Sequence, residues 1–138
     1  MEIKGIKGFL DEGKSYIAKG DSVQASEKLY KAAEEAIKIL ALTRAPEIGK
    51  EAAEKERWTS DLLFKAAGRM GREVRHCWDS AWTLHVQGFH EMKLNISAVE
   101  ERIEDIAELV KLAENKHESV YQLSCRTCFG ISTLILSP

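Results

Sequence analysis

The sequence predicts an all-α protein, an antiparallel up-and-down bundle of about five helices. Apolar residues recur at three- and four-residue steps along most of the chain, the period of a helix with one buried face. No strand-length alternation of apolar and polar residues appears before residue 120. Only two prolines, Pro46 and Pro138, occur in 138 residues, which leaves the interior free of the residue that breaks helices. That length suits one domain with a single core. The bundle is expected over residues 1–115, with 116–138 a C-terminal extension rich in Ser, Thr and β-branched residues.

In the first helix Ile3, Ile6, Phe9, Leu10 and Ile17 mark the buried face, and Gly20 marks the end. Asp21 then supplies an N-cap carboxylate, with Gln24 three residues on in a variant of the capping box. The second helix runs to about Leu42; its stripe is Leu29, Ala32, Ala33, Ala36, Ile37 and Leu40, with Lys28, Lys31, Glu34, Glu35 and Lys38 opposite. Pro46 suits the first position of a third helix, and Glu47 and Glu51 complement the positive end of its dipole. A second capping signal around Trp58-Thr59-Ser60-Asp61 predicts two short helices or a bent one, continuing through Leu62, Leu63, Phe64 and Ala67.

Gly68 and Gly71 punctuate the next turn. Beyond it Val74, Cys77, Trp78, Ala81, His85, Gly88 and Met92 share a stripe, widened by Leu84 and Phe89, so the fourth helix is expected at the centre of the core. Ser97-Ala98-Val99-Glu100 has the Ser-x-x-Glu form of a capping box and predicts the start of a fifth helix. Val99, Ile103, Ile106, Val110 and Ala113 form its inner face beneath an acidic outer one.

The 20 basic and 22 acidic residues leave a formal charge of −2, without the bulk excess that drives non-specific binding to nucleic acid or membrane surfaces. Any polyanion must be held by a local patch. No apolar run approaches the roughly 20 residues that span a bilayer, and no signal peptide is visible, so cytoplasmic residence is the expectation. No Rossmann unit or phosphate-binding P-loop is present.

Several groups of residues invite a chemical reading. Cys125-x-x-Cys128 has the spacing of half a zinc site, but no second close pair completes four ligands, and the plain reading is two reduced thiols. His85 and His90, five residues apart, point about 140° from each other on an α-helix and are not expected to share a ligand. His85 reads as a hydrogen-bonded core or interface histidine, and Trp58, Trp78 and Trp82 read as core aromatics. His76 and Asp79 are the one pair here that neighbours on an α-helix. No metal or other cofactor is expected. Arg69, Arg72 and Arg75 recur every third residue across the glycine turn with His76 beside them, and this patch is the candidate for holding phosphate. The plain alternative is that these arginines complement a helix C-terminus and pair with the acidic fifth helix.

The stretch from Ala18 to Lys38, containing Gly20-Asp21-x-x-Gln24-Ala25-Ser26-Glu27-Lys28, and the stretch from Trp82 to Glu91, containing Leu84-His85-x-x-Gly88-Phe89, resemble the archaeal PaREP family, usually grouped with the HEPN-like helical domains. The resemblance covers about residues 3–113. It implies a helical bundle that commonly dimerises, in a superfamily that includes ribonucleases and partners of small nucleotidyltransferases. In HEPN ribonucleases a polar residue follows an Arg, and four to six residues separate that Arg from a His. Here the fitting pair is Arg69 and His76, with six residues between them, but Met70 follows the Arg and the glycine turn intervenes.

The leading expectation is therefore a non-catalytic, HEPN-like homodimer that binds a nucleotide, RNA or a nucleotidyltransferase-type protein through Arg69, Arg72, Arg75 and His76. The competing readings are a metal-independent endoribonuclease using Arg69 and His76, and a helical interaction scaffold. The scaffold lacks a second copy of its helix pair at the ~34-residue period of tetratricopeptide repeats.

Overall fold

The computed structural model describes residues 2–115, and every regular element among them is helical. The elements are α1 (Ile3–Ala18), α2 (Ser22–Arg44), α3 (Pro46–Glu54), α4 (Ser60–Arg69) and α5 (Arg72–Thr83). Without a break α5 widens into a π-helical turn, Leu84–His90, and α6 (Ile96–Glu100) and α7 (103–115) follow. Cys125, Cys128 and the predicted extension lie outside the described residues.

Local chemistry sets the boundaries. Gly20, at φ +77°, ends α1 by sending its N–H to Ile17 O at 2.9 Å while the Asp21 N–H reaches Tyr16 O at 2.9 Å, the paired bonds of a Schellman stop. The Asp21 carboxylate accepts from the Gln24 N–H at 3.0 Å and starts α2, as its spacing predicts. Pro46 takes the first position of α3. Thr59 caps α4, its hydroxyl accepting from the Leu62 N–H at 3.2 Å, so the predicted bend is a full break between two short helices.

The start of the fifth helix is a correction. Its cap is Asn95, whose side-chain oxygen accepts from the Ala98 N–H at 2.8 Å, and Ser97 lies inside α6. Asn95 already satisfies the end, so the Ser-x-x-Glu pattern is left without a capping role. A short turn at 101–102 then separates α6 from α7.

The centre of the core is α2 rather than the fourth helix. Both flanks of α2 are covered: Ala25, Leu29, Ala32, Ala33, Ala36, Ile37, Leu40 and Ala41 are all fully buried, and α1, α3, α4, α5, the π turn and α6 pack around it. Its alanines are the physical reason, since short side chains let neighbouring helix axes approach from several directions. Gly13 does the same from α1, where a Cβ would stand 2.6 Å from Leu29 Cδ2. Of the expected solvent face of α2, only Lys31 is exposed, and Lys28, Glu34, Glu35 and Lys38 are half-buried.

Pairings along the bundle are antiparallel. Gly13 faces Leu29 between α1 and α2, and Phe64 stands edge-on to Trp82 between α4 and α5, with ring centroids 5.1 Å apart. Trp78 of α5 is fully buried among these helices. Among the described residues no helix is long and apolar enough to cross a membrane.

Candidate functional site

Chemistry gathers at the two ends of α5. The first end is the turn at Met70 and Gly71, where Gly71 adopts φ +106° and so reverses the chain between α4 and α5. Arg69 closes α4; Arg72 opens α5, and Arg75 and His76 follow one turn on. All four are exposed.

Their side chains do not converge. Arg69 reaches back to the carboxylate of Glu47 on α3. His76, with a side chain 72% exposed, places Nε2 3.5 Å from Asp105 Oδ2 on α7, and the same oxygen accepts from the Ser80 hydroxyl. The predicted His76–Asp79 neighbour pair is thus replaced by a contact across helices. Arg72 and Arg75 have no ion-pair partner among the described residues, so the arginines do not pair with the acidic helix. What the turn brings together is a pair of unneutralised guanidiniums beside a third that is held sideways.

About ten residues further along, some 15 Å at 1.5 Å per residue, lies the second end. Here a cleft of about 440 Å³ opens between α2, α4 and the π turn. Glu27, Tyr30, Lys31 and Glu34 form its floor on α2; Trp82, His85, Phe89 and His90 form one wall. Trp58, Ser60 and Leu63 form the other.

The widened helix is what builds that wall. In a π-helix the bonding partner lies five residues away, so residues five apart come into line. His85 Nε2 and His90 Nε2 are accordingly 3.3 Å apart, which corrects the expectation, based on α geometry, that they diverge. One imidazole donates to the other when one ring carries its proton on Nε2 and the other on Nδ1. Among the described residues no third His, Cys, Asp or Glu joins them in a metal-holding group.

His85 lies flat on Tyr30, with ring centroids 4.1 Å apart and planes 21° apart, and Trp82 stands 5.2 Å from His85. Burial first, and the neighbouring His90 second, push the His85 imidazole below its ordinary range and favour its neutral form. Burial first, and the Glu34 carboxylate second, push the Tyr30 phenol up, so it stays protonated. Gly88 lets the π turn seat against α2, because a Cβ there would stand 2.7 Å from Ser26 Cβ. Met92, expected on the buried stripe, is 67% exposed because the helix ends at His90 and Met92 lies beyond it in a left-handed conformation, at φ +53°.

The tryptophans divide between roles. Trp78 is the core aromatic the sequence predicts, while Trp58 and Trp82 are only partly buried and both line the cleft. Residue by residue, the cleft escapes a reading based on charge patches or ligand spacing. A different signal marks it: the two sequence fragments that carry the family resemblance are the two that meet here, Ser26 against Gly88 and Tyr30 against His85.

Comparison with known proteins bears out the family resemblance. The chain is similar to a Sulfolobus solfataricus protein solved by crystallography, at 45% identity and a TM-score of 0.74, over 80% of this chain and 93% of that one. It is also similar to the solution structure of the Orf c02003 protein, at 44% identity and a TM-score of 0.72, over 82% of this chain and 91% of that one. No curated protein matches it. The archaeal PaREP1/PaREP8 family matches residues 2–110, a span that includes α2, the π turn and the cleft between them. On that match the chain belongs to the archaeal PaREP1/PaREP8 family.

Proposed function

We propose that this protein is a cytoplasmic, non-catalytic helical binding module of HEPN-like type, working as a homodimer, and that its α4–α5 turn holds the phosphates of an RNA. The observation that carries the reading is the state of Arg72 and Arg75. Both are exposed and unpaired among the described residues in a chain whose acids outnumber its bases, so their charge is available to a partner. Arg69 adds a third guanidinium, since an exposed pair such as Arg69–Glu47 is worth little and exchanges readily for phosphate. His76 completes the patch.

The non-catalytic reading is supported by the side-chain directions. A phosphoryl-transfer centre needs its acid or base and its charge-stabilising group to face one point. His76 turns instead to Asp105 on α7. The homodimer is supported by Leu42, 68% exposed at the end of α2 beside the partly buried Ile39, a patch that a second copy would cover.

Fluorescence anisotropy with a labelled single-stranded RNA tests the reading. Three phosphate contacts at roughly 0.7 released counterions each predict a log–log salt slope of about −2. The double variant R72E/R75E is expected to lose most of the affinity and flatten that slope. The RNA should be recovered intact. Unchanged affinity in R72E/R75E sinks the proposal, and so does cleavage that depends on His76; binding of a nucleotidyltransferase-type protein but of no RNA would reassign the turn to a protein partner.

A further inference from the structure

The cleft at the other end of α5 carries charge and shape of the opposite kind, and we infer that it binds a linear di- or polyamine, its alkyl stem against Trp58, Trp82 and Phe89 and its ammonium groups at Glu27 and Glu34. The walls come first. Trp58 makes no ring contact with Trp82 or Phe89 among the described residues, so an open space separates aromatic surfaces that have partly left water. Methylenes fill such a space favourably, and an ammonium near an aromatic face gains a further cation–π attraction.

The charges decide between ligands. Lys31, the one Lys or Arg lining the cleft among the described residues, extends its ammonium toward α1, 5.9 Å from the centroid of the Phe9 ring. Glu27 has no ion-pair partner among the described residues. Glu34 is 3.6 Å from Lys38, whose shorter contact, 2.9 Å, goes to Glu35. His85, held neutral by burial first and by His90 second, adds no positive charge. The cleft is therefore net acidic, which opposes a phosphate-bearing ligand and favours a cation.

Spacing narrows the class. Glu27 and Glu34 are seven residues apart, two turns of α2 and about 10.5 Å of rise. A quaternary ammonium or a single guanidinium meets one of these carboxylates; an extended polyamine meets both. Tyr30, between them in sequence, carries the stacked His85 ring of the π turn, and an alkyl chain would run past it.

The test uses spermidine, followed by the intrinsic fluorescence of Trp58 and Trp82 and by calorimetry, on the full chain in about 150 mM salt, where diffuse attraction is screened beyond ~8 Å. Spermidine is expected to bind one per chain. E27Q and E34Q, which keep side-chain shape, should each weaken it about tenfold, and W58A should do the same with its thermal midpoint recorded alongside. E100Q/E104Q, at exposed acids away from the cleft, and R72E/R75E should bind as wild type does. The inference is overturned if spermidine does not bind, if E27Q/E34Q binds as tightly as wild type, or if E100Q/E104Q loses as much as E27Q/E34Q. Tighter binding of choline than of spermidine would overturn the polyamine class.

Discussion

At its first turn α5 presents Arg72, Arg75 and His76 to solvent, whereas its continuation through the π turn packs against α2 and borders the cleft on the α4 side. The arginine end consists of long side chains on a regular helix, each free to reorient. The π end consists of rings and a glycine whose positions are set by contact: His85 on Tyr30, Trp82 on Phe64, Gly88 on Ser26. The difference teaches where a mutation should be read. Substitution at the first end should appear in salt dependence and affinity with little change in stability. At the second end it should appear in stability as well, because the packing that shapes the cleft is also the packing that holds α5 to α2.

Gly88→Ala is the strongest way to break that comparison. The added Cβ meets Ser26 Cβ at 2.7 Å, and both atoms lie next to helix backbone, so neither can swing aside as a long side chain would. Overpacking of this kind costs about 2–3 kcal/mol. Urea denaturation should show that loss, and the fluorescence response of the cleft to spermidine should weaken with it. A change below about 0.5 kcal/mol would mean that the π turn is not tightly seated.

Cys77 sits between the two ends, buried and facing α7. Burial first, then the carboxylates of Asp105, Glu108 and Glu73, raise its thiol to about 11 from an ordinary value of 9.0. Because the folded value is the higher one, the thiol's contribution to stability is full below pH 9 and is lost as pH rises toward 11. Comparing wild type with Cys77→Ala by urea midpoints, each with Cys125 and Cys128 replaced by Ser, isolates the effect. The wild type should lose ground against the variant only above pH 9. A gap that stays constant to pH 11 would place the thiol in contact with water.

How much of this was legible in the sequence follows from what each feature depends on. Gly20-Asp21, Pro46 and Thr59 act on their own backbone within a few residues, so those helix ends are readable from local chemistry. The cap at Asn95 was obscured because Ser97, two residues on, offers the same chemistry, and only the packing of α6 selects between them. The central place of α2 was hidden for a related reason. A helix of alanines and charges reads as a surface helix by period, yet six neighbouring elements close over it. The π turn is the least legible, since at the α-helical period of ~3.6 residues His85 and His90 diverge, and nothing in their spacing marks a wider turn. The arginines were found because like charges at short spacing are visible without a fold. The cleft was missed because Glu27, Trp58 and His90 come from three parts of the chain.

Gly68→Ala gives the smallest effect and the sharpest contrast with Gly88, since the same substitution should have the opposite sign. Gly68 lies in α4 beside Arg69, is exposed, and has nothing within 4 Å of the position its Cβ would occupy. With no steric cost, what remains is the propensity of alanine over glycine in a helix, a gain of about 0.5–1 kcal/mol, toward the lower figure because the helix ends one residue later. The thermal midpoint should rise slightly while RNA affinity and its salt slope stay at wild-type values, because the guanidiniums of Arg72 and Arg75 are untouched. Destabilisation comparable to that of Gly88→Ala would mean that the arginine end is as closely packed as the π end, and its arginines would then have to be reread as structural.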